Sequence, residues 1–300
     1  MGLAIAPLYL NLKDVVLTHF HAPPYEYAIL PLGRTHYQFA GPPSGEVVVL
    51  IHGNAAPLIT WDETVGPLVD AGYRVLRYDL FGHGLSDVPT LRRYDKTLYE
   101  NQLSGLLEIL KIDKPVAIVG TSQGGTIAAQ FTVRFPDRVT KVCMLAPFVD
   151  NLERKLLALL RQPVFGELLI RMASCSKLMD QSACFMDSRV WAAFRDRLQM
   201  VWSAAGRRVA ILANLRGDAL EDASEVFRSL AALRKPVRLL WGDQDQSISR
   251  HSISHLRDLV PKCDYSELQG AAHLMHVEFP ERINPLVVEF LGAQNSNSRP

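Results

Sequence analysis

The 300-residue sequence is poor in features that would point away from a compact intracellular protein. It has four cysteines, Cys143, Cys175, Cys184 and Cys263, and none belongs to a C-x-x-C pair. Cys143 sits in the apolar run Val142-Cys143-Met144-Leu145, where a cysteine serves as a small core residue. Cys175 and Cys184 are near enough in sequence to pair, but the usage reads as free thiols in a reducing compartment, which makes the expected location cytoplasmic. No apolar run is long enough to span a bilayer. Residues 1–12 are apolar but lack a positive leading region and a small-residue cleavage site, so no signal peptide is expected. Gly2 follows Met1, yet Ala6 stands where myristoylation needs Ser or Thr. These residues read as a packed or frayed terminus, with a weak peripheral membrane contact as the alternative. No basic cluster exists, and a net charge of +1 with interspersed signs offers nothing to nucleic acid or to an acidic partner. Internal repeats are absent. Only the small, polar stretch 293–300 reads as a disordered tail.

What the chain does have is 48% hydrophobic residues, enough for a large core in one domain or one domain with an insertion. Short apolar runs alternate with helical patterns. Strands are expected at 25–30, 35–40, 47–51, 74–78, 116–119, 139–145, 237–241 and 264–268. Helices are expected at 61–71, 97–110, 123–135, 250–259 and 280–291. This rhythm predicts an α/β fold: a mostly parallel eight-stranded sheet with helices on both faces. Residues 148–217 break it. That stretch is helix-patterned throughout and carries Met172, Met179, Met186 and Met200 with Trp191 and Trp202. It reads as an inserted helical cap, leaving 25–147 and 218–292 as the core.

At the end of the run Val116-Ala117-Ile118-Val119 stands Gly120-Thr121-Ser122-Gln123-Gly124-Gly125, followed by an Ala-rich helical pattern. This is a G-x-S-x-G turn with a strand before it and a helix after it. Such a turn strains the serine backbone and lifts its hydroxyl clear of the sheet. Gly120 and Gly124 are required because side chains there would collide across the turn. Gly125 lets the new helix lie close to neighbouring strands.

A serine hydroxyl needs a base, and the base needs an anion to set its tautomer. The stretch Gly270-Ala271-Ala272-His273 follows the last strand, and its small residues suit a loop that must approach Ser122. His273 is the expected base and His276 the competitor, the latter otherwise a packing residue. Glu278 is expected to cap or anchor the helix that follows. After the strand ending at Trp241 come Gly242-Asp243-Gln244-Asp245. Asp245 is the expected acid. Asp243, expected to bond its own turn, and Asp150 are held in reserve. Oxyanion donors are expected in the backbone N–H groups of Gln123 and Asn54. His52, beside Asn54, reads as a structural residue that holds its loop. The loop Tyr78-Asp79 through Ser86-Asp87 contains Asp and His but reads as a hydrogen-bonded turn, so no metal and no cofactor are expected.

Taken together, His52-Gly53-Asn54, Tyr78-Asp79 through Ser86-Asp87, Gly120 through Gly124, Trp241 through Asp245, and Gly270 through His273 resemble the α/β-hydrolase fold superfamily, in the branch with a helical cap. They recur in that family's order over roughly residues 25–292. Ser122 stands where relatives that open epoxides or displace halides carry aspartate. Gln123 and Asn54-Ala55-Ala56 depart from the monoacylglycerol lipase pattern. The resemblance implies hydrolysis of a small-molecule carboxylic ester through an acyl-enzyme. Carbon–carbon bond hydrolysis or lactone opening with the same residues is the first alternative, and a non-catalytic receptor on the same fold the second.

Overall fold

The computed structural model describes residues 26–54, 56–149, 158, 161–162, 164–172, 180–201 and 204–293. Eight strands form one sheet: β1 (Glu26–Leu30), β2 (Gly33–Ala40), β3 (Val47–Ile51), β4 (Arg74–Tyr78), β5 (Val116–Thr121), β6 (Val139–Leu145), β7 (Val237–Gly242) and β8 (Asp264–Leu268). Their spatial order is β1-β2-β4-β3-β5-β6-β7-β8. The β1–β2 hairpin joins β4 antiparallel, and every later pairing is parallel. The fold class expected from the alternating pattern is therefore the one observed.

The strand sequences explain this order. β5 is buried at every position, as are all residues of β7. A parallel strand covered on both faces can be apolar throughout, because no side of it meets water. By contrast, β1 and β8 alternate or carry polar residues, as the edges of the sheet require. In register, Gly120 of β5 lies opposite Ile51 of β3 and Met144 of β6. The carboxyl ends of the central strands thus finish together, and ligands of open parallel sheets bind at that edge.

The helices of the core are α1 (Asp62–Asp70), α2 (Lys96–Ile109) and α3 (Gln123–Arg134), then, after β6, α7 (Ser224–Ala232), α8 (Arg250–Leu259), α9 (Met275–Glu278) and α10 (Pro280–Gly292). One group, α1, α9 and α10, packs together; α2, α3, α7 and α8 form another. Within residues 148–217, where a cap was expected, lie α4 (Phe165–Met172), α5 (Ser188–Met200) and α6 (Ala204–Arg216), and no strand among the described residues. Beneath α5 lies a second apolar cluster of Ala56, Phe185, Trp191, Phe194, Leu198, Leu274 and Val277, separate from the main core. No described helix is long and apolar enough to cross a membrane. The expectations for residues 1–12, Asp150, Cys175, Met179, Trp202 and 294–300 lie outside the described residues.

Candidate active site

The turn after β5 holds Ser122 at φ +53° and ψ −125°, a conformation L-residues seldom adopt. Strain of this kind costs about 1–3 kcal/mol and persists only where surrounding contacts enforce it. Here the Ser122 N–H donates to the Leu145 carbonyl at 2.9 Å, and the Ser122 carbonyl accepts from the Gly125 N–H at 3.0 Å and the Phe148 N–H at 3.2 Å. The glycines behave as the motif demands. A Cβ on Gly120 would strike the Gly124 carbonyl, and one on Gly124 would strike the carbonyl of Ile51. A Cβ on Gly53 would stand 2.9 Å from Ser122 Cβ, so the loop after β3 presses directly on the serine.

That loop is held by two imidazoles. His52, fully buried, accepts from the Leu80 N–H at Nε2 (2.8 Å). Its Nδ1 must then carry the proton, which it donates to the Gly53 carbonyl at 2.7 Å. His83 packs against His52 with ring centroids 5.2 Å apart and planes tilted by 55°, and places Nε2 3.0 Å from the Asn54 carbonyl. His52 is thus the structural residue its position suggested. Asn54, the residue after Gly53, is half-buried, while Gln123 is buried at the first turn of α3. The Gln123 side-chain amide has no hydrogen-bond partner among the described residues.

The Tyr78–Asp87 loop was expected to be a hydrogen-bonded turn, and Asp79, after β4, is its hub. Its carboxylate meets His36 Nδ1 at 2.7 Å and accepts the Leu58 and Leu85 N–H groups at 2.8 and 2.9 Å. With these partners it braces the neighbouring loops, and no metal-binding cluster occurs among the described residues.

On the other side of Ser122, β7 and β8 deliver Asp245 and His273. Asp245 Oδ2 lies 2.7 Å from His273 Nδ1, and the aspartate side chain is wholly shielded from solvent. Its second oxygen accepts the Ser247 and Ile248 N–H groups at 2.7 and 2.9 Å. These three contacts hold the carboxylate with Oδ2 facing the ring. The two loops are stitched together as well. Gln244 N–H donates to the Ala271 carbonyl at 3.0 Å, and a Cβ on Gly242 would collide with that same carbonyl. Asp243 does not bond its own turn as expected; it accepts the Gly270 N–H at 2.6 Å and so tethers the His273 loop. Ser122, Asp245 and His273 therefore occupy one edge of the sheet. The Asp245–His273 hydrogen bond is made, whereas none joins the Ser122 hydroxyl to the imidazole among the described residues.

The competitor, His276, is engaged as a packing residue. It is fully buried, lies against Trp61 with ring centroids 4.5 Å apart, and pairs Nε2 with the Thr60 hydroxyl at 3.0 Å. Burial, reinforced by His273, pushes it down to about 3 from 6.5. The unfolded chain therefore binds a proton at His276 that the folded chain refuses between these two values. Stability is fully present above pH 6.5 and falls as pH drops towards 3, by up to about 1.4 kcal/mol per pH unit. His276→Gln, which keeps a polar partner for Thr60, is expected to flatten the decline of Tm between pH 6.5 and 4. Parallel melting curves of the two proteins over that range check this, and identical slopes would refute it.

Glu278 also differs from expectation. Instead of capping the helix after it, its Oε1 accepts the N–H groups of Met186 (2.8 Å) and Asp187 (2.6 Å), just ahead of α5. Sequence reasoning missed this because the partners are 92 and 91 residues away. Cys143 is the core residue expected, its thiol pushed up to about 12 by burial. Cys184 is a free thiol.

A family model described as the alpha/beta hydrolase family matches residues 48–286. The chain belongs to that family. It is a hydrolase. It is 25% identical over 283 residues to AB hydrolase superfamily protein YfhM of Bacillus subtilis, covering 86% of this chain and 94% of the relative. Over a shorter span of 115 residues it is 34% identical to 2-hydroxy-6-oxo-6-phenylhexa-2,4-dienoate hydrolase of Comamonas testosteroni, covering 37% of this chain and 39% of that one. Among solved structures it is similar in fold to the enol-lactonase of Burkholderia xenovorans LB400, with a TM-score of 0.76 at 20% identity, covering 89% of this hydrolase and 100% of that chain.

Proposed function

We propose that this hydrolase cleaves carboxylic esters of small to medium apolar substrates through an acyl-enzyme on Ser122. The observation that carries the reading is the buried Asp245–His273 bond of 2.7 Å at the sheet edge that also presents Ser122. With Asp245 accepting at Nδ1, the neutral ring leaves Nε2 unprotonated and able to take a proton. Ser122 Oγ attacks the ester carbonyl as His273 removes its proton. The Asn54 and Gln123 amides stabilise the oxyanion that forms. His273 then protonates the departing alkoxide, and a water molecule, deprotonated by the same imidazole, releases the acid and regenerates the serine. Asp245 keeps the ring oriented and stabilises its charge when protonated. A helical cap over residues 148–217, rich in methionine and leucine, would supply an apolar and adaptable roof.

An ester asks no more of the protein than these groups. A carbon–carbon bond asks for more, because the leaving carbon must be stabilised as an enol before it departs. That second reading is favoured by the 34% identity to the Comamonas dienoate hydrolase over 115 residues. One experiment separates them. Purified protein is offered p-nitrophenyl esters of two to eight carbons, a lactone and a β-diketone, and is treated with a fluorophosphonate. The ester reading expects turnover of the esters and a single phosphonyl adduct on the peptide containing Ser122. Turnover confined to the diketone would replace it with the carbon–carbon reading. A folded protein that neither turns over substrate nor takes the label would be a receptor.

A further inference from the structure

The turn that follows His273 is mounted on the lead-in to α5. Leu274, next to His273, donates its N–H to the Cys184 carbonyl at 3.1 Å. Four residues on, the Glu278 carboxylate takes both the Met186 and Asp187 N–H groups. Residues 274–278 and 184–187 are thus laced together at both ends, and Leu274 and Val277 press into the aromatic cluster of Phe185, Trp191 and Phe194. At its far end α5 is held by a second carboxylate. Arg197 pairs with Asp62, which in turn pairs with Arg77 of β4. The helix is pinned at both termini and packed along its middle. Charge favours the arrangement, since an anion at the amino end and a cation at the carboxyl end oppose the helix dipole.

We propose that Glu278 is a positioning residue: it fixes residues 184–187 and α5 against the turn behind His273, so that this part of the chain acts as a rigid mount for the base. The argument rests on the reading of His273 as the base of Ser122-dependent ester hydrolysis. Asp245 restrains the ring from one side, but it cannot fix where the backbone of residues 273–278 sits. The Glu278 bonds, with the Leu274–Cys184 bond, tie that backbone to the lead-in of α5. A displacement of about 1 Å in a base can cost on the order of 100-fold in rate without changing how substrate binds.

The test uses Glu278→Ala and Glu278→Gln in the full chain. Amide hydrogen exchange, followed by mass spectrometry over peptides spanning 184–190, reads the clamp directly. Steady-state kinetics on a p-nitrophenyl ester reads its consequence. Glu278→Ala is expected to speed exchange of the Met186 and Asp187 amides at least about tenfold and to lower kcat about tenfold or more, with KM within about threefold. Glu278→Gln keeps an acceptor and the same volume, and is expected to recover most of both losses. Unchanged exchange in Glu278→Ala would overturn the clamp. Faster exchange with unchanged kcat would overturn its role in positioning. So would a loss appearing wholly in KM. If Glu278→Ala does not fold, Glu278→Met, which keeps the volume but offers no oxygen acceptor, takes its place: unchanged exchange at Met186 and Asp187, or faster exchange without any fall in kcat, overturns the proposal, and a matched fall supports it. Should the wild type hydrolyse no ester at all, the functional reading fails, while the exchange measurement still decides whether the clamp exists.

Discussion

Ser122→Ala is expected to lower kcat for p-nitrophenyl ester hydrolysis by at least about 10,000-fold, because nucleophile, base and orienting acid act as one unit. The residual rate should come from the Asn54 and Gln123 amides, which still stabilise an oxyanion formed by direct attack of water. Stability should change little. The Ser122 contacts that hold the turn are made by its backbone N–H and carbonyl, not by the hydroxyl. Alanine inherits the same φ of +53° and the same strain. The expected change in unfolding free energy is within about 0.5 kcal/mol. Kinetics and thermal melts on the same preparation check both halves. Equal kcat in wild type and variant would remove Ser122 as the nucleophile. A large fall in Tm would show that its hydroxyl carries structural weight the backbone contacts do not reveal.

The serine was legible in the sequence for the same reason that its substitution is diagnostic. A strand-to-helix turn that forces a non-glycine residue to positive φ needs glycines at fixed offsets, and such offsets are local. β6, β8 and α8 were likewise legible to the residue, since each is a continuous period bounded by Gly, Pro or a polar cap. The Ser249 hydroxyl, for example, caps α8 by accepting from the Ser252 N–H. Other features were hidden because they are tertiary. α7 was missed because it is a short run, nine residues, in which polar and small residues separate Val226, Phe227 and Leu230, the apolar residues that turn to the core. The residues 275–278 looked like loop, yet form a short helical turn once His276 is buried against Trp61. Asp243 and Glu278 were assigned to their own neighbourhoods, and each reaches a distant backbone instead. A short-range rule can show that a carboxylate needs N–H donors. It cannot show which loop the fold will bring to it.

Asp245→Asn is expected to be nearly as severe as loss of the serine, with kcat at neutral pH falling on the order of 1,000- to 10,000-fold. The geometry explains why so small a change should matter. The amide oxygen can still accept the Ser247 and Ile248 N–H groups, now bonded to Asp245 Oδ1 at 2.7 and 2.9 Å. The turn after β7 therefore survives. The amide nitrogen then faces His273 Nδ1, where the Oδ2 oxygen stands at 2.7 Å in the native chain. A donor at that point forces the ring into the tautomer that carries its proton on Nε2, so the nitrogen that must take the proton from Ser122 in the proposed reaction can no longer accept one. The imidazolium of the transition state also loses its counter-charge in a site closed to water. Asp243→Asn is the matched control. Its carboxylate accepts the Gly270 N–H, a bond an amide oxygen can reproduce, so kcat should stay within about threefold of wild type. Steady-state rates of the two variants, with circular dichroism to show that each is folded, decide the assignment. A severe loss in Asp243→Asn and a mild one in Asp245→Asn would exchange their roles. Mild losses in both would mean that the imidazole is oriented by some group other than the carboxylate it touches.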